Sequence, residues 1–449
     1  MSAFLDQLQQ YIERHALFKS NDQLLLAVSG GLDSVVMAQG LQLLGYKFGI
    51  AHCNFNLRGE ESKADEKFVR QLALSFQVPF FLKQFETSQL AQESKVSIQM
   101  AARDLRYAWL EEIRFQHGYA FVAAAHHQND LVETVLLNLV RGTGLAGFHG
   151  ILPKQGNVVR PLLFATREQA EDFAKDYILR WREDTSNASN KYARNLVRNK
   201  VIPILKTLNP SLENTMKSTA EKVALAEKVL ARQVEEAKSK WVTEGQGFVK
   251  IDIQGLQSIT NALYFLHAIL QEFGFSWSVS KKVMESGSGI SGKIFYSSTH
   301  RLLKDRENWI IDYREVAKFV PVSILPTTQT VRLLFGKVLN LKLLEGGLEL
   351  VTILKSKSSV LLDYDKLVFP LTLRSWQEGD TFIPFGMEGE KKISDFLIDA
   401  KYSLFEKERI VVLQSGQEIV AIIGCRSGQR YSVGQATKRI LVAELVFIG

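Results

Sequence analysis

Ser29-Gly30-Gly31-Leu32-Asp33-Ser34 decides the reading of this 449-residue chain. An apolar run, Leu24 to Val28, leads into it and reads as a buried parallel strand. Val35-Val36-Met37-Ala38, continuing to Leu44, reads as the helix that follows. Strand, tight glycine loop and helix start together make a phosphate-binding arrangement. The glycines let the backbone approach oxygens, and the free N–H groups of the helix start face an anion. Ser29 and Ser34 add hydroxyl donors. Asp33 would repel phosphate unless a divalent cation lay between, which points to Mg2+. A plain strand-to-helix turn is the competing reading. A glycine pair alone would favour that turn; the whole hexapeptide in this context does not.

Working outward, strands alternate with helices. Phe48 to Asn54, Phe80 to Phe85 and Ala120 to Ala125 read as strands. Lys63 to Phe76, Ile98 to Gln116 (capped by Ser97) and Asn129 to Val140 read as helices, and residues 3–17 as an opening amphipathic helix. This alternation predicts a parallel sheet covered on both faces, with ligands at the carboxyl ends of its strands. Ser29, His52 and His126 lie near those ends. Further on, Thr166 caps a predicted helix from Arg167 to Tyr177. Asn209-Pro210 marks a boundary before a long helical pattern, Leu212 to Trp241. Residues 242–310 read as a small helical unit ending in a hairpin. Residues 316–372 alternate like strands, and Leu373 to Gly449 is strand-rich with a helix near Ile393 to Ile398.

Two glycine motifs are discounted. Gly142 to Gly147 fits GxGxxG but follows a helix, whereas the dinucleotide fingerprint follows a strand. Gly287 to Lys293 fits a Gly-x-x-x-x-Gly-Lys pattern, but Ile294 stands at its Ser/Thr position.

The hydrophobic content of 46% and charged content of 23% are those of a soluble globular chain. No signal pattern and no run able to span a bilayer is evident, so no membrane role is expected. Cys53 and Cys425 make no disulfide framework, which favours a reducing, cytoplasmic location. The net charge is +7, and its distribution says more than its size. Arg180, Arg182, Lys191, Arg194, Arg198, Lys200 and Lys206 face only Glu183 and Asp184 in that segment. Such a run is either a solvated face or a surface for a phosphate backbone.

Asp130 and Glu133 are three apart, so they share a helix face at the predicted site, beside His126 and His127. Carboxylates there can hold Mg2+, a substrate ammonium, or simply favour a helix start. Arg103, Arg106 and Tyr107 lie on a helix that packs nearby. Arginines can neutralise charge developing on phosphate oxygens, or form surface ion pairs. His52, Asn54 and Arg58 could face an adenosine.

The hexapeptide resembles the pyrophosphate loop of the N-type ATP pyrophosphatases, which cleave ATP between the α and β phosphates and adenylate an oxygen. Longer segments resemble the tRNA(Ile)-lysidine synthetases. They are His52 through Arg58, Ala102 through Tyr107, His126 through Thr134 with Arg141-Gly142-Thr143-Gly144, and Arg160-Pro161-Leu162-Leu163. Trp181 through Asn187, Arg194 through Arg198, Gly379 through Phe382, Lys392 through Leu397 and Gly424-Cys425-Arg426 join them. The resemblance covers nearly the whole chain. The family often has Asp-His where Asn54-Phe55 stands, and two aspartates where Asn129-Asp130 stands.

The resemblance implies an α/β fold: a parallel-sheet, adenine nucleotide alpha hydrolase-like catalytic domain over 1–210. It implies a long helix and small central tRNA-binding domain over 211–315. A strand-rich connector over 316–372 and an α+β tRNA-binding domain over 373–449 would follow. It implies a ligase that joins free L-lysine to C2 of the wobble cytidine of tRNA(Ile), with ATP and Mg2+. The site expected on that basis has Ser29, Gly30, Gly31, Leu32, Asp33, Ser34, His52 and Arg58 around ATP, and Asp33 on the metal. Asp33, Arg103, Asp130 and Glu133 would do the chemistry. Arg194, Arg198, Lys392 and Arg426 would meet tRNA. A homodimer is left open. The alternatives are a tRNA thiolase with the same loop, which would need reactive cysteines, and a non-catalytic tRNA-binding protein.

Overall fold

The computed structural model describes residues 2–56, 59–87, 97–183, 193–245, 247–354, 356 and 358–447. The chain divides into two compact units, Met1–Leu230 and Ala231–Gly449.

The first unit is built on β1 (Gln23–Ala27), β2 (Lys47–Asn54), β3 (Phe80–Gln84), β4 (Phe121–Ala124), β5 (Lys154–Gln155) and β6 (Val158–Val159). Their order is β3-β2-β1-β4-β6-β5, parallel throughout except for β5 against β6. β1 is central because it can be buried on both faces. Leu24 and Leu26 pack into one cluster with Leu8, Val36 and Leu41. Leu25, pointing the other way, packs with Trp109, Leu110 and Val122. That is the period-two geometry of a strand covered on both sides. β1 is flanked by β2 on one side and β4 on the other, so the chain's path reverses there and leaves a crevice beyond their carboxyl ends.

Local signals account for the helices around this sheet. Ile98–Gln116 starts where Ser97 Oγ accepts from the Met100 N–H, 3.2 Å away. Arg167–Asp176 starts on a reciprocal capping box between Thr166 and Gln169. Gly142 ends the helix Gln128–Arg141 with φ +79°, so the GxGxxG match is a helix terminus rather than a nucleotide loop. Leu212–Trp241 is one helix of 30 residues whose last part lies in the second unit.

The second unit departs from the expectation over 242–310. Helices Ile253–Gln257, Ala262–Gln271 and Trp277–Glu285 are present, but they pack on a five-stranded antiparallel sheet rather than forming a helical unit. Its order is β7 (Val242–Gly245), β8 (Phe248–Asp252), β11 (Asn308–Tyr313), β10 (His300–Asp305) and β9 (Ile294–Tyr296). β8 is completed by β11, with Ile251 opposite Trp309, a pairing that spacing along the chain does not announce. Beyond it, two further sheets share one core of Leu339, Leu371, Leu413 and Ala443. Lys337–Glu345 pairs with the last strand, Arg439–Phe447, along its full length. The strand Leu371–Ser375 runs across position 372.

Candidate active site

The loop after β1 is folded on itself. Ser34 Oγ donates to the Gly31 carbonyl at 2.8 Å and accepts from the Gly30 N–H at 3.2 Å. Ser29 Oγ accepts from the Gly31 N–H at 3.3 Å. The two serines thus satisfy the N–H groups that a phosphate would take. Gly30 has φ +94°, a left-handed conformation that favours glycine, and a Cβ there would press on Val69 and Phe68 at 3.3 and 3.4 Å. Leu32 is buried and anchors the helix start. Arg182 closes over the loop: its N–H donates to the Gly30 carbonyl at 2.9 Å, and its Nε to Asp65 at 2.9 Å.

Asp33 leaves the first turn of Leu32–Leu43 toward β4. Its Oδ2 accepts from Arg167 Nη1 at 2.9 Å. Its Oδ1 is buried without a hydrogen-bond partner and lies 3.7 Å from His127 Nε2. Burial pushes the Asp33 carboxyl above its usual range, against the pull of His127 and Arg167. His127 Nε2 is also 3.6 Å from Asp130 Oδ2. One imidazole therefore lies between the glycine loop and the helix Gln128–Arg141. Burial also raises the Asp130 carboxyl, but His127 and Arg194 outweigh it and the net shift is downward. Burial drives the neighbouring His126 down to about 4, so that ring is neutral near pH 7.

Asp130 and Glu133 do share a face, and Arg194 and Arg198 occupy it. Arg194 Nε donates to Glu133 at 2.6 Å and its Nη2 to Asp130 at 2.9 Å. Arg198 donates to both Glu133 oxygens, through Nε and through Nη2 at 3.1 Å. Glu133 has no solvent exposure. The basic segment is thus not a uniformly solvated face: in this structure Arg182, Arg194, Arg198 and Lys206 are each committed to a carboxylate.

The other expected residues fall as follows. His52 is buried, with Nδ1 2.8 Å from the Val28 carbonyl, and burial lowers its pKa. That ring buttresses the end of β1. Asn54 turns its Oδ1 to the Asn56 N–H at 2.9 Å. Arg103 is exposed, 5.6 Å from the Tyr107 ring centroid. Arg58 lies outside the described residues. Lys392 and Arg426 belong to the second unit; both are exposed and have no ion-pair partner among the described residues. Sequence reading missed Arg167 and Glu213. Arg167 is 134 residues from its partner Asp33. Glu213 accepts from Asn129 Nδ2 at 2.9 Å and Lys206 Nζ at 3.0 Å. Nothing in the local pattern of either residue points to these partners.

The donor set suits a phosphate-bound Mg2+. That ion needs one or two carboxylate oxygens besides phosphate and water, and Asp33 Oδ1 is a buried oxygen with no hydrogen-bond partner.

Comparison with known proteins agrees with this layout. A model described as the PP-loop domain matches residues 2–205. The TilS substrate binding domain matches 244–314, and the TilS substrate C-terminal domain matches 371–443. A tRNA(Ile)-lysidine synthase of Parabacteroides distasonis is 42% identical over 97% of this chain and 98% of its own length. That of Bacteroides thetaiotaomicron is 38% identical over the same shares of the two chains. That of Porphyromonas gingivalis is 33% identical over 94% of each. With a glycine loop on a parallel sheet, a carboxylate helix beside it and likeness to these relatives from end to end, the chain belongs to the tRNA(Ile)-lysidine synthase family.

Proposed function

We propose that this chain ligates free L-lysine to C2 of the wobble cytidine of the isoleucine tRNA with a CAU anticodon. ATP adenylates the C2 oxygen and pyrophosphate leaves. The lysine ε-amine then attacks C2 and AMP leaves, giving lysidine and changing codon reading from AUG to AUA. The observation that carries the reading is His127 Nε2, 3.7 Å from Asp33 and 3.6 Å from Asp130. It supports a reading in which the glycine loop takes pyrophosphate and Asp130, beside it, takes an ammonium.

In this reading Ser29, Gly30, Gly31 and Ser34 receive phosphate oxygens as their internal hydrogen bonds are exchanged. Asp33 would hold Mg2+ through Oδ1, and the ion would supply positive charge to the leaving pyrophosphate. Arg103, exposed at the site's edge, adds charge to the same oxygens. Asp130 is assigned to the lysine ammonium, because its side chain is 14% exposed while that of Glu133 is fully enclosed. The free ε-amine has a pKa of about 10.4, so it must lose a proton before attack. Glu133 anchors Arg194 and Arg198. Lys392 and Arg426 grip tRNA phosphates.

A thiolase reading is not favoured. Burial pushes the Cys53 thiol up to about 12, which leaves almost no thiolate at neutral pH. Among the described residues no helix is long and apolar enough to cross a membrane; a cytoplasmic location is part of the proposal, and a homodimer is an assembly to be read by light scattering. The direct test is labelled lysine with ATP and tRNA(Ile), assayed for incorporation into RNA. Absence of ATP-dependent label in the RNA would refute the ligase.

A further inference from the structure

Asn129 is the second residue of the helix Gln128–Arg141, next to Asp130, and it has two unlike partners. Its Oδ1 accepts from the backbone N–H of Arg167 at 2.9 Å. Its Nδ2 donates to Glu213 Oε1 at 2.9 Å. Arg167 in turn holds Asp33 at 2.9 Å, and Glu213 lies in the first turn of the long helix Leu212–Trp241. Only a side chain with one donor and one acceptor can sit between a backbone N–H and a carboxylate. An aspartate has no donor to offer there, and it would place a second negative charge against Glu213, which is 4% exposed.

We propose that Asn129 is a positioning residue for the reaction: a polar link that fixes three elements of the site to one another. Through Arg167 it sets the Asp33 side chain. Through its own helix it sets Asp130. Through Glu213 it seats the start of the long helix on the catalytic crevice. This rests on the ligase reading above, and it concerns a residue that touches neither ATP nor lysine in that reading. The link is one of polarity, so it can be reversed without being removed. In a chain carrying both Asn129→Asp and Glu213→Gln, one Asp oxygen still accepts from Arg167 N–H. The other accepts from the new Gln amide. Both bonds of residue 129 survive, one of them reversed, and the net charge is unchanged; Lys206, which donates to the same Glu213 Oε1 at 3.0 Å, has to turn to the Gln oxygen.

The experiment measures lysine incorporation by the full chain for the native protein, Asn129→Asp, Glu213→Gln and the double variant, with kcat and KM separated. Native activity tests the ligase reading; the ratios among the four tests the role of Asn129. Asn129→Asp should lose roughly tenfold or more in kcat, the size of a strongly coupled pair of side chains. Glu213→Gln alone should lose little, since its amide oxygen still accepts from Asn129. The double variant should recover to within about threefold of the native kcat. A double variant no better than Asn129→Asp overturns the proposal. So does an Asn129→Asp protein that melts earlier yet keeps the native kcat per folded molecule. Should Asn129→Asp not fold, Glu213→Ala decides: a folded Glu213→Ala protein with native kcat overturns it, and a tenfold loss supports it.

Discussion

Arg194 Nε lies 2.6 Å from Oε2 of Glu133, a carboxylate with no solvent exposure, and Arg198 closes the other side of the same group. A charge so enclosed is tolerable only while its partners stay. Replacing both arginines by alanine leaves Glu133 buried and unpaired, which should cost about 3 kcal/mol of stability. The arginines are themselves about 40% and 36% exposed, so the low end of the range for buried pairs applies. Urea unfolding of the native and double-alanine proteins reads this directly. A change under about 0.5 kcal/mol would mean that the pairs are ordinary surface contacts.

Asp33 carries a sharper expectation. Asp33→Ala removes a buried carboxylate oxygen that has no hydrogen-bond partner and leaves Arg167 with Glu171 alone. Lysine incorporation should fall by at least about a hundredfold, the scale of losing one group that stabilises transition-state charge. Near-native turnover by folded Asp33→Ala would take Asp33 out of the mechanism.

What could be read from the chain alone follows from where the information sits. The helix Ile98–Gln116 and its Ser97 cap were legible because a cap is decided within four residues. The glycine loop was legible because strand, loop and helix start are contiguous. The small sheet of the second unit was not: β7 has a single half-buried residue, and β8 finds its partner more than fifty residues later. Charge counting likewise presented Arg194 and Arg198 as a basic surface. Their carboxylates lie 61 and 65 residues upstream, a distance over which no periodicity carries.

The buried imidazole of His126 gives a pH signature. Its folded-state pKa is about 4, against an unperturbed 6.5. Between those values the unfolded chain binds a proton that the folded chain refuses. Stability from this group is therefore complete above about pH 6.5 and is lost as pH falls toward 4. The loss should be about 2 kcal/mol, reduced because the residue keeps some exposure. Melting curves of the native protein and His126→Asn across this range should converge as pH falls. Parallel curves would show that His126 is not held neutral.

In the second unit, Asp312 is fully enclosed between Arg301, at 2.9 Å, and Arg409. Arg409 is itself stacked on Phe248 and Phe335, with ring centroids 3.6 and 3.5 Å away. Asp312→Ala would leave Arg409 without this carboxylate and Arg301 with Glu408 alone. It should cost about 3–5 kcal/mol, and calorimetry on the full chain would show the unfolding of this unit shifted. A loss below about 1 kcal/mol would mean that the remaining contacts, Glu408 on Arg301 and the stacked rings and Gly247 carbonyl on Arg409, hold this joint.

Lys392 and Arg426 offer the cleanest test of tRNA grip by the second unit. Ending the chain near Thr372 would not do it. That cut divides the strand Leu371–Ser375 and removes Arg439–Phe447, the partner of Lys337–Glu345, so loss of binding would report a ruined core. Lys392 and Arg426 are exposed and without ion-pair partners among the described residues, so their replacement leaves no buried charge behind. If they meet phosphates, Lys392→Glu with Arg426→Glu should weaken tRNA binding across sequences and lower the slope of log K against log salt by roughly two. ATP affinity should stay as it was, since that site lies in the first unit. Unchanged affinity and an unchanged slope would make them solvated charges, and the grip would have to be sought among the other basic residues of the second unit.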